Sequence, residues 1–110
     1  MAGGNRKEIL MSNIFNNRSD LRIGGVVKHF KRETLSPEFL SQPENKNTYL
    51  YKILNIAVHT ETTEKLVIYQ AMYGDFQVYA RPFYEFISKV DKQKYPEITQ
   101  EYRFVSVSKY

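Results

Sequence analysis

The sequence predicts a small, mainly β protein: an SH3-like half-open barrel of about five strands, with a short N-terminal helix and a short helix after Pro82. The length of 110 residues is that of a single domain. Five runs rich in Val, Ile, Tyr and Phe are separated by turn residues, as in successive strands. A long loop follows the first run, and a brief helical segment precedes the last. A barrel of the oligonucleotide-binding type is the alternative, although it usually needs longer strands.

The chain divides into a basic N-terminal extension, residues 1–22, and a single barrel domain, residues 23–110, with an inserted loop at 32–47. Apolar residues within 5–15 favour a short helix in the extension, which the polar residues 16–20 would end. The extension is therefore expected to be partly helical.

The first strand is predicted over residues 26–30, and the inserted loop follows it directly. Within that loop, Ser36 is a favourable N-cap and Pro37 suits the first helical position. The pattern predicts a brief helical turn that continues through Leu40.

Three further strands surround the centre of the chain. Residues 48–59 are apolar on nearly both faces, which is typical of a central strand. Residues 65–73 form the predicted return strand, and residues 76–80 follow after a tight turn at 74–75.

Pro82 ends the pairing of this last strand, since it has no amide hydrogen, and it can begin a helix. The apolar residues that follow it have helical spacing for about two turns: Phe83, Phe86, Ile87 and Val90. Residues 102–108 alternate between apolar and polar side chains and are predicted to form the final strand.

The net charge of +4 comes from the first third of the chain. Up to Arg32 there are seven basic and two acidic residues, 7 − 2 = +5, and from Glu33 onward nine basic and ten acidic residues, 9 − 10 = −1. A basic arm can steer an anionic partner, so nucleic acid is one partner that this arm would suit. The alternative is a solvated terminus without a partner.

Several classes of protein are excluded or disfavoured by composition. The absence of cysteine excludes disulfides, thiolate zinc sites and cysteine nucleophiles, and it fits a reducing compartment, so a cytoplasmic location is expected. No apolar run approaches the roughly 20 residues of a membrane span, and the N-terminus lacks the apolar core of a secretion signal. No phosphate-binding loop or known catalytic motif occurs.

Three segments carry a family resemblance: HFK at 29–31, AVHTETTEKLVIYQAMYGD at 57–75 and ARPFYEF at 80–86. They resemble a small bacterial domain family of unknown function, with members in phages, and the resemblance implies no activity. The chain differs from that pattern where Arg32 replaces a usual Gly and Tyr79 a common Trp. Its basic extension and longer loop are added parts that could build a site or an oligomer contact.

The stretch from His59 to Pro82 holds most of the candidate chemistry. A residue before proline is held in an extended conformation, so the direction of the Arg81 side chain is restricted. Its planar guanidinium could then bind a phosphate or carboxylate through two parallel hydrogen bonds. The alternative is a structural ion pair with Asp75 or a Glu. The candidate ligand-binding residues are Arg81, His59, Glu61, Thr62, Tyr69, Tyr73, Asp75, Tyr79, His29 and Lys31.

Each of these candidates also has a structural alternative. Tyr69, Tyr73 and Tyr79 would stack on a base of the ligand, or they would be part of the core or of the sheet surface. His59 with Glu61 would act in acid–base chemistry, ligate a metal, or bond the turn backbone. His29 and Lys31 would form a cationic rim beside Arg81, or be solvated next to a buried Phe30.

These observations favour a non-catalytic binding module for a small anionic ligand, a nucleotide or a nucleotide-derived signal, which a phage could use to sequester a host molecule. No metal or cofactor is expected, and homo-oligomers are compatible with the added segments. One alternative is an RNA- or protein-binding adaptor, and a second is a small enzyme that uses His59 and Glu61.

Overall fold

Five antiparallel strands form one open sheet in the computed structural model, which describes residues 14–107. They are β1 (Val26–His29), β2 (Leu50–Val58), β3 (Lys65–Ala71), β4 (Val78–Pro82) and β5 (Phe104–Ser106). Their order across the sheet is β4-β3-β2-β1-β5, so the last strand returns to pair with the first. The prediction of a mainly β, half-open barrel is confirmed.

Three short helical segments connect the strands: a 3-10 helix (Phe30–Thr34), α1 (Pro37–Ser41) and α2 (Phe83–Phe86). The predicted cap of α1 is present, because the Ser36 side chain accepts a hydrogen bond of 3.1 Å from the amide of Phe39. Among residues 14–107, no helix is long and apolar enough to cross a membrane.

The helix after Pro82 is shorter than predicted. It has one turn instead of two, and its end is fixed by the amide of Ile87, which donates to the carbonyls of Phe83 and Glu85. Beyond it, Lys89 forms an isolated bridge with Tyr102, which returns the chain to the sheet. The apolar spacing that suggested a second turn serves tertiary packing instead, since Val90 belongs to a separate cluster with Phe30, Ile98 and Tyr95.

The two faces of the sheet have different roles. The inner face contributes Val27, Tyr51, Val67, Tyr69 and Phe104 to the main core, and all five are buried. Paired strand residues share a face, so the outer face carries the alternate positions. These include Lys28 opposite Leu50 and Lys52 opposite Gln70.

The segment before β1 packs on the barrel. Phe15 and Leu21 are buried in the main core, and the Arg18 side chain between them is also buried. The predicted helix at 5–15 lies outside the described residues except for its last two, which form part of a turn.

Arg18 and Asp20 cover the outer edge of β5. The Arg18 guanidinium donates to both carboxylate oxygens of Asp20, each at 3.1 Å, and to the carbonyl of Phe104 at 2.7 Å. It also donates to the carbonyl of Ile87 at 3.1 Å and lies 3.9 Å from the ring centre of Tyr102. Asp20 completes the contact by accepting from the amide of Ser106 at 3.1 Å. Arg18 was assigned to the basic extension from the sequence, but in the structure its buried side chain stabilises the edge of β5.

Candidate functional site

A cavity of about 190 Å³ opens on the inner face of the sheet, between β1, β4 and β5. The strand register brings its walls together, because His29 pairs with Phe104 and the neighbouring strands place Tyr69 and Arg81 on the same face. The residues that line it are His29, Lys31, Tyr49, Tyr51, Tyr69, Arg81 and Phe104. Four of these seven were predicted as ligand-binding residues: His29, Lys31, Tyr69 and Arg81.

Arg81 is the half-buried cation of this cavity. Its Nε donates to the Tyr69 hydroxyl at 3.1 Å and its Nη1 to Glu85 at 2.5 Å. Burial works to lower the pKa of Arg81, but the hydrogen bond from the guanidinium to Tyr69 and the Glu85 carboxylate raise it above its ordinary value. The guanidinium therefore stays charged, and its ion pair is with Glu85 and not with Asp75.

His29 is a buried, neutral imidazole beside three cations. Its Nδ1 accepts a hydrogen bond of 3.0 Å from the amide of Lys31, which caps the 3-10 helix. Burial, which has the largest effect, and the positive charges of Arg81, Arg103 and Lys31 together lower the pKa of His29 to about 4. Because Nδ1 is an acceptor, the ring proton is on Nε2, which makes that nitrogen a donor at neutral pH.

Tyrosine rings form the apolar wall of the site. The ring centres of Tyr51 and Tyr69 are 5.3 Å apart, and the hydroxyls of Tyr51 and Tyr73 are within 2.9 Å. Burial raises the pKa of Tyr51 and of Tyr73, so both hydroxyls stay protonated. Tyr79 lies 5.6 Å from Tyr69 and is 43% exposed, which leaves its ring accessible at the edge of the cluster.

Tyr49 adds backbone strain at the rim. Its φ of 66° is in the left-handed region, which costs a tyrosine about 1–3 kcal/mol. Its carbonyl accepts from the amide of His29 at 3.0 Å, and its ring lines the cavity. Strained residues of this kind occur often at ligand sites.

The predicted residues at the β2–β3 turn lie away from the cavity. His59 Nδ1 accepts from the amides of Glu61 and Thr62 at 3.1 and 3.3 Å, and Thr62 accepts from the amide of Glu64. Tyr69 lies five residue steps along the chain from Glu64, about 17 Å at about 3.4 Å per step. These contacts correspond to the structural alternative, a turn whose side chains bond its own backbone.

The other predicted residues fall into two groups. Tyr73 and Tyr79 pack against the cavity tyrosines, one ring away from the opening. Asp75 is exposed in the turn between β3 and β4, on none of the cavity walls. Within residues 14–107, no three histidine or carboxylate side chains are grouped closely enough to hold a metal ion.

Three lining residues, Tyr49, Tyr51 and Phe104, were not among the predictions. The alternation of residues 102–108 places Phe104 on one face of the last strand, but only the pairing of β5 with β1 shows that this face meets His29. Tyr51 and Ile53 share the inner face of β2, and this spacing was a signal in the sequence that Tyr51 points to the core.

Comparison with known proteins gives one match. A family model described as a protein of unknown function (DUF1653) matches residues 25–106, a span that contains all five strands and all seven cavity residues. No curated protein and no solved structure matches the chain.

Proposed function

The chain belongs to the DUF1653 family of proteins of unknown function, and from that premise we propose that it is a non-catalytic module that binds a small anionic ligand. The ligand class that suits the site is a nucleotide or a nucleotide-derived signal. The observation that carries the proposal is the placement of Arg81 and Lys31 in one cavity whose remaining wall is aromatic.

The electrostatics of the cavity favour an anion. Lys31, Arg81 and the Nε2–H of neutral His29 are all donors, and none of the described lining residues carries a carboxylate. Nη2 of Arg81 has no hydrogen-bond partner in the described part of the chain, so this nitrogen is available to a phosphate or carboxylate oxygen.

The size of the cavity limits how much of the ligand it would enclose. Usual small-molecule sites measure about 300–1,000 Å³, and this cavity is smaller at about 190 Å³. One end of the ligand, a phosphate or carboxylate with its adjoining atoms, would therefore enter. The rest would lie over the rim, where Tyr79 presents an exposed ring to a base.

The same groups support binding over catalysis. A general base works best with a pKa near the operating pH, and His29 is far below it at about 4. His59, the alternative base, is at the β2–β3 turn with its Nδ1 engaged by two backbone amides.

Calorimetric titration of the full chain with sulfate, ribose 5-phosphate and adenosine monophosphate tests the proposal. We expect Arg81→Ala to weaken binding about tenfold or more, because a hydrogen bond to a charged group contributes about 1.5–3 kcal/mol. Lys94→Ala is the control, since Lys94 is exposed and lies outside the cavity. Absence of heat with every anion, or equal affinity in Arg81→Ala with an unchanged melting temperature, would reject the function.

A second variant separates base recognition from phosphate recognition. Tyr79→Ala is expected to weaken adenosine monophosphate and to leave ribose 5-phosphate unchanged, because stacking on one ring contributes about 1–3 kcal/mol per base. If Tyr79→Ala changes the affinity for the two ligands equally, or for neither, the ring does not recognise the base and the nucleotide part of the proposal fails.

A further inference from the structure

A groove runs along the outer face of the sheet, on the opposite side from the cavity of Arg81 and Lys31, which is called the anion cavity below. It consists of two adjoining cavities of about 470 and 400 Å³ that share Lys28, Arg32 and Leu40. Lys28 belongs to the outer face of β1, while Arg32 and Leu40 come from the inserted loop. The loop therefore forms one wall of the groove and the sheet forms the other.

Several hydrogen bonds hold this wall in place. The Arg32 Nη1 donates to the carbonyl of Thr48 at 2.7 Å, across the base of the loop. The Glu33 carboxylate accepts from the amide and hydroxyl of Thr99, both at 2.7 Å, and from the amide of Gln100 at 3.1 Å. The groove is thus formed before any partner arrives, which reduces the entropy lost on binding.

The lining combines positive charge with aliphatic surface. Its cations are Lys28, Arg32 and Lys46, and its single carboxylate among the described residues is Glu33, which already accepts three hydrogen bonds. The apolar lining residues are Leu35, Leu40, Leu50, Val105 and Val107. None of the described lining residues is aromatic.

We propose that this groove binds an extended acidic peptide segment of a partner protein, with aspartate or glutamate side chains at the lysines and aliphatic side chains on the groove floor. Charge complementarity selects the acidic residues, and the aliphatic floor selects Leu, Ile or Val. Single-stranded nucleic acid fits less well, because its bases are usually held by stacking on aromatic rings.

Selection of random dodecapeptides displayed on phage, with the full chain as bait, tests the proposal. We expect the enriched peptides to alternate acidic and aliphatic residues. A labelled copy of the most enriched peptide is then titrated against the chain and against Lys28→Glu and Lys46→Glu, each expected to weaken binding about tenfold. Both lysines are exposed, so neither substitution is expected to change the melting temperature.

Lys94→Glu is the matched control, because it makes the same charge change on an exposed lysine outside the groove. Equal weakening by Lys94→Glu and Lys46→Glu would overturn the proposal. The absence of enriched peptides, or enrichment of peptides without acidic residues, would also overturn the proposal. A third contrary result would be that a twelve-nucleotide thymidine strand displaces the labelled peptide at a lower concentration than the unlabelled peptide does. The Arg81→Ala variant should bind the peptide as the unmodified chain does, which separates this groove from the anion cavity.

Discussion

Acidification from pH 7.5 to pH 5.0 is expected to destabilise the fold through His29. The buried imidazole has a pKa of about 4 in the folded chain, compared with an ordinary value of 6.5. As the pH falls below 6.5, the unfolded state takes up a proton that the folded state does not. The contribution of neutral His29 to the free energy of unfolding is therefore complete above pH 6.5, and it is lost progressively as the pH falls to about 4.

The size of the effect follows from the two pKa values. Between pH 6.5 and 5.0 the imidazole titrates in the unfolded state only, over about 1.5 units at 1.36 kcal/mol each, so about 2 kcal/mol is lost. A domain of this kind has a free energy of unfolding of about 5–15 kcal/mol, so the loss is large enough to measure. The carboxyl groups of Asp20 and Glu33 also have lowered pKa values and lose their contribution only at lower pH.

Urea unfolding at the two pH values measures this loss, and His29→Asn is the decisive variant. An asparagine side chain also accepts the capping hydrogen bond from the amide of Lys31, but it does not titrate. The drop of about 2 kcal/mol should disappear in this variant. It should persist in His59→Asn, which removes the histidine of the β2–β3 turn and keeps a side chain able to bond the turn amides.

Two results would refute this reasoning. One is an equal drop in His29→Asn and in the unmodified chain, which would assign the pH dependence to other groups. The other is a proton NMR titration of the His29 ring in the folded chain with a midpoint near 6.5, which would mean that burial and the neighbouring cations do not hold the ring neutral.

Three further outcomes are expected. Arg18→Ala should lower the free energy of unfolding by about 3 kcal/mol, because it removes a buried charge that makes four hydrogen bonds. Lys89→Ala is the control and should lower it by less than about 1 kcal/mol, because Lys89 forms an exposed ion pair. Equal losses of the two variants in urea unfolding would contradict this. Glu85→Gln should tighten sulfate binding about two- to fivefold in calorimetry, because it removes the negative charge that competes with the anion for Arg81. Weaker binding would contradict this. Sulfate binding should strengthen as the pH falls from 7 to 5, since an anion in the cavity raises the pKa of His29; no pH dependence would place the anion elsewhere.

Local patterns predicted the five strands to within two residues at each end, and they predicted the cap of α1 correctly. The fourth strand is displaced from the predicted 76–80, because β4 runs over Val78–Pro82. The alternation of residues 65–73 put Val67, Tyr69 and Ala71 on one face, and all three are buried. Ser36 followed by Pro37 is likewise a local signal, because the cap bonds an amide only three residues away. Such signals depend on the backbone of a single segment, so they can be derived from the sequence.

The composition of the cavity was predicted only in part, because it depends on contacts between distant segments. His29 and Phe104 are paired across β1 and β5, and no periodicity within either strand fixes that register. Arg18 illustrates the same limit: its burial depends on the carbonyls of Ile87 and Phe104 and the ring of Tyr102. His59 received weight in the prediction for its local cluster of polar neighbours, and those neighbours bond the turn itself.

The cover that Arg18 and Asp20 place over β5 has a consequence for any shortened form of the protein. A chain cut to residues 25–106, the span of the family match, keeps every strand and every cavity residue. It loses Phe15 and Leu21 from the core, and it leaves the Phe104 carbonyl and the Ser106 amide bare at the sheet edge. Bare strand edges pair with other chains and lead to aggregation. Arg18 and Asp20 therefore occupy backbone groups of β5 that another strand would need for pairing at this edge of the sheet.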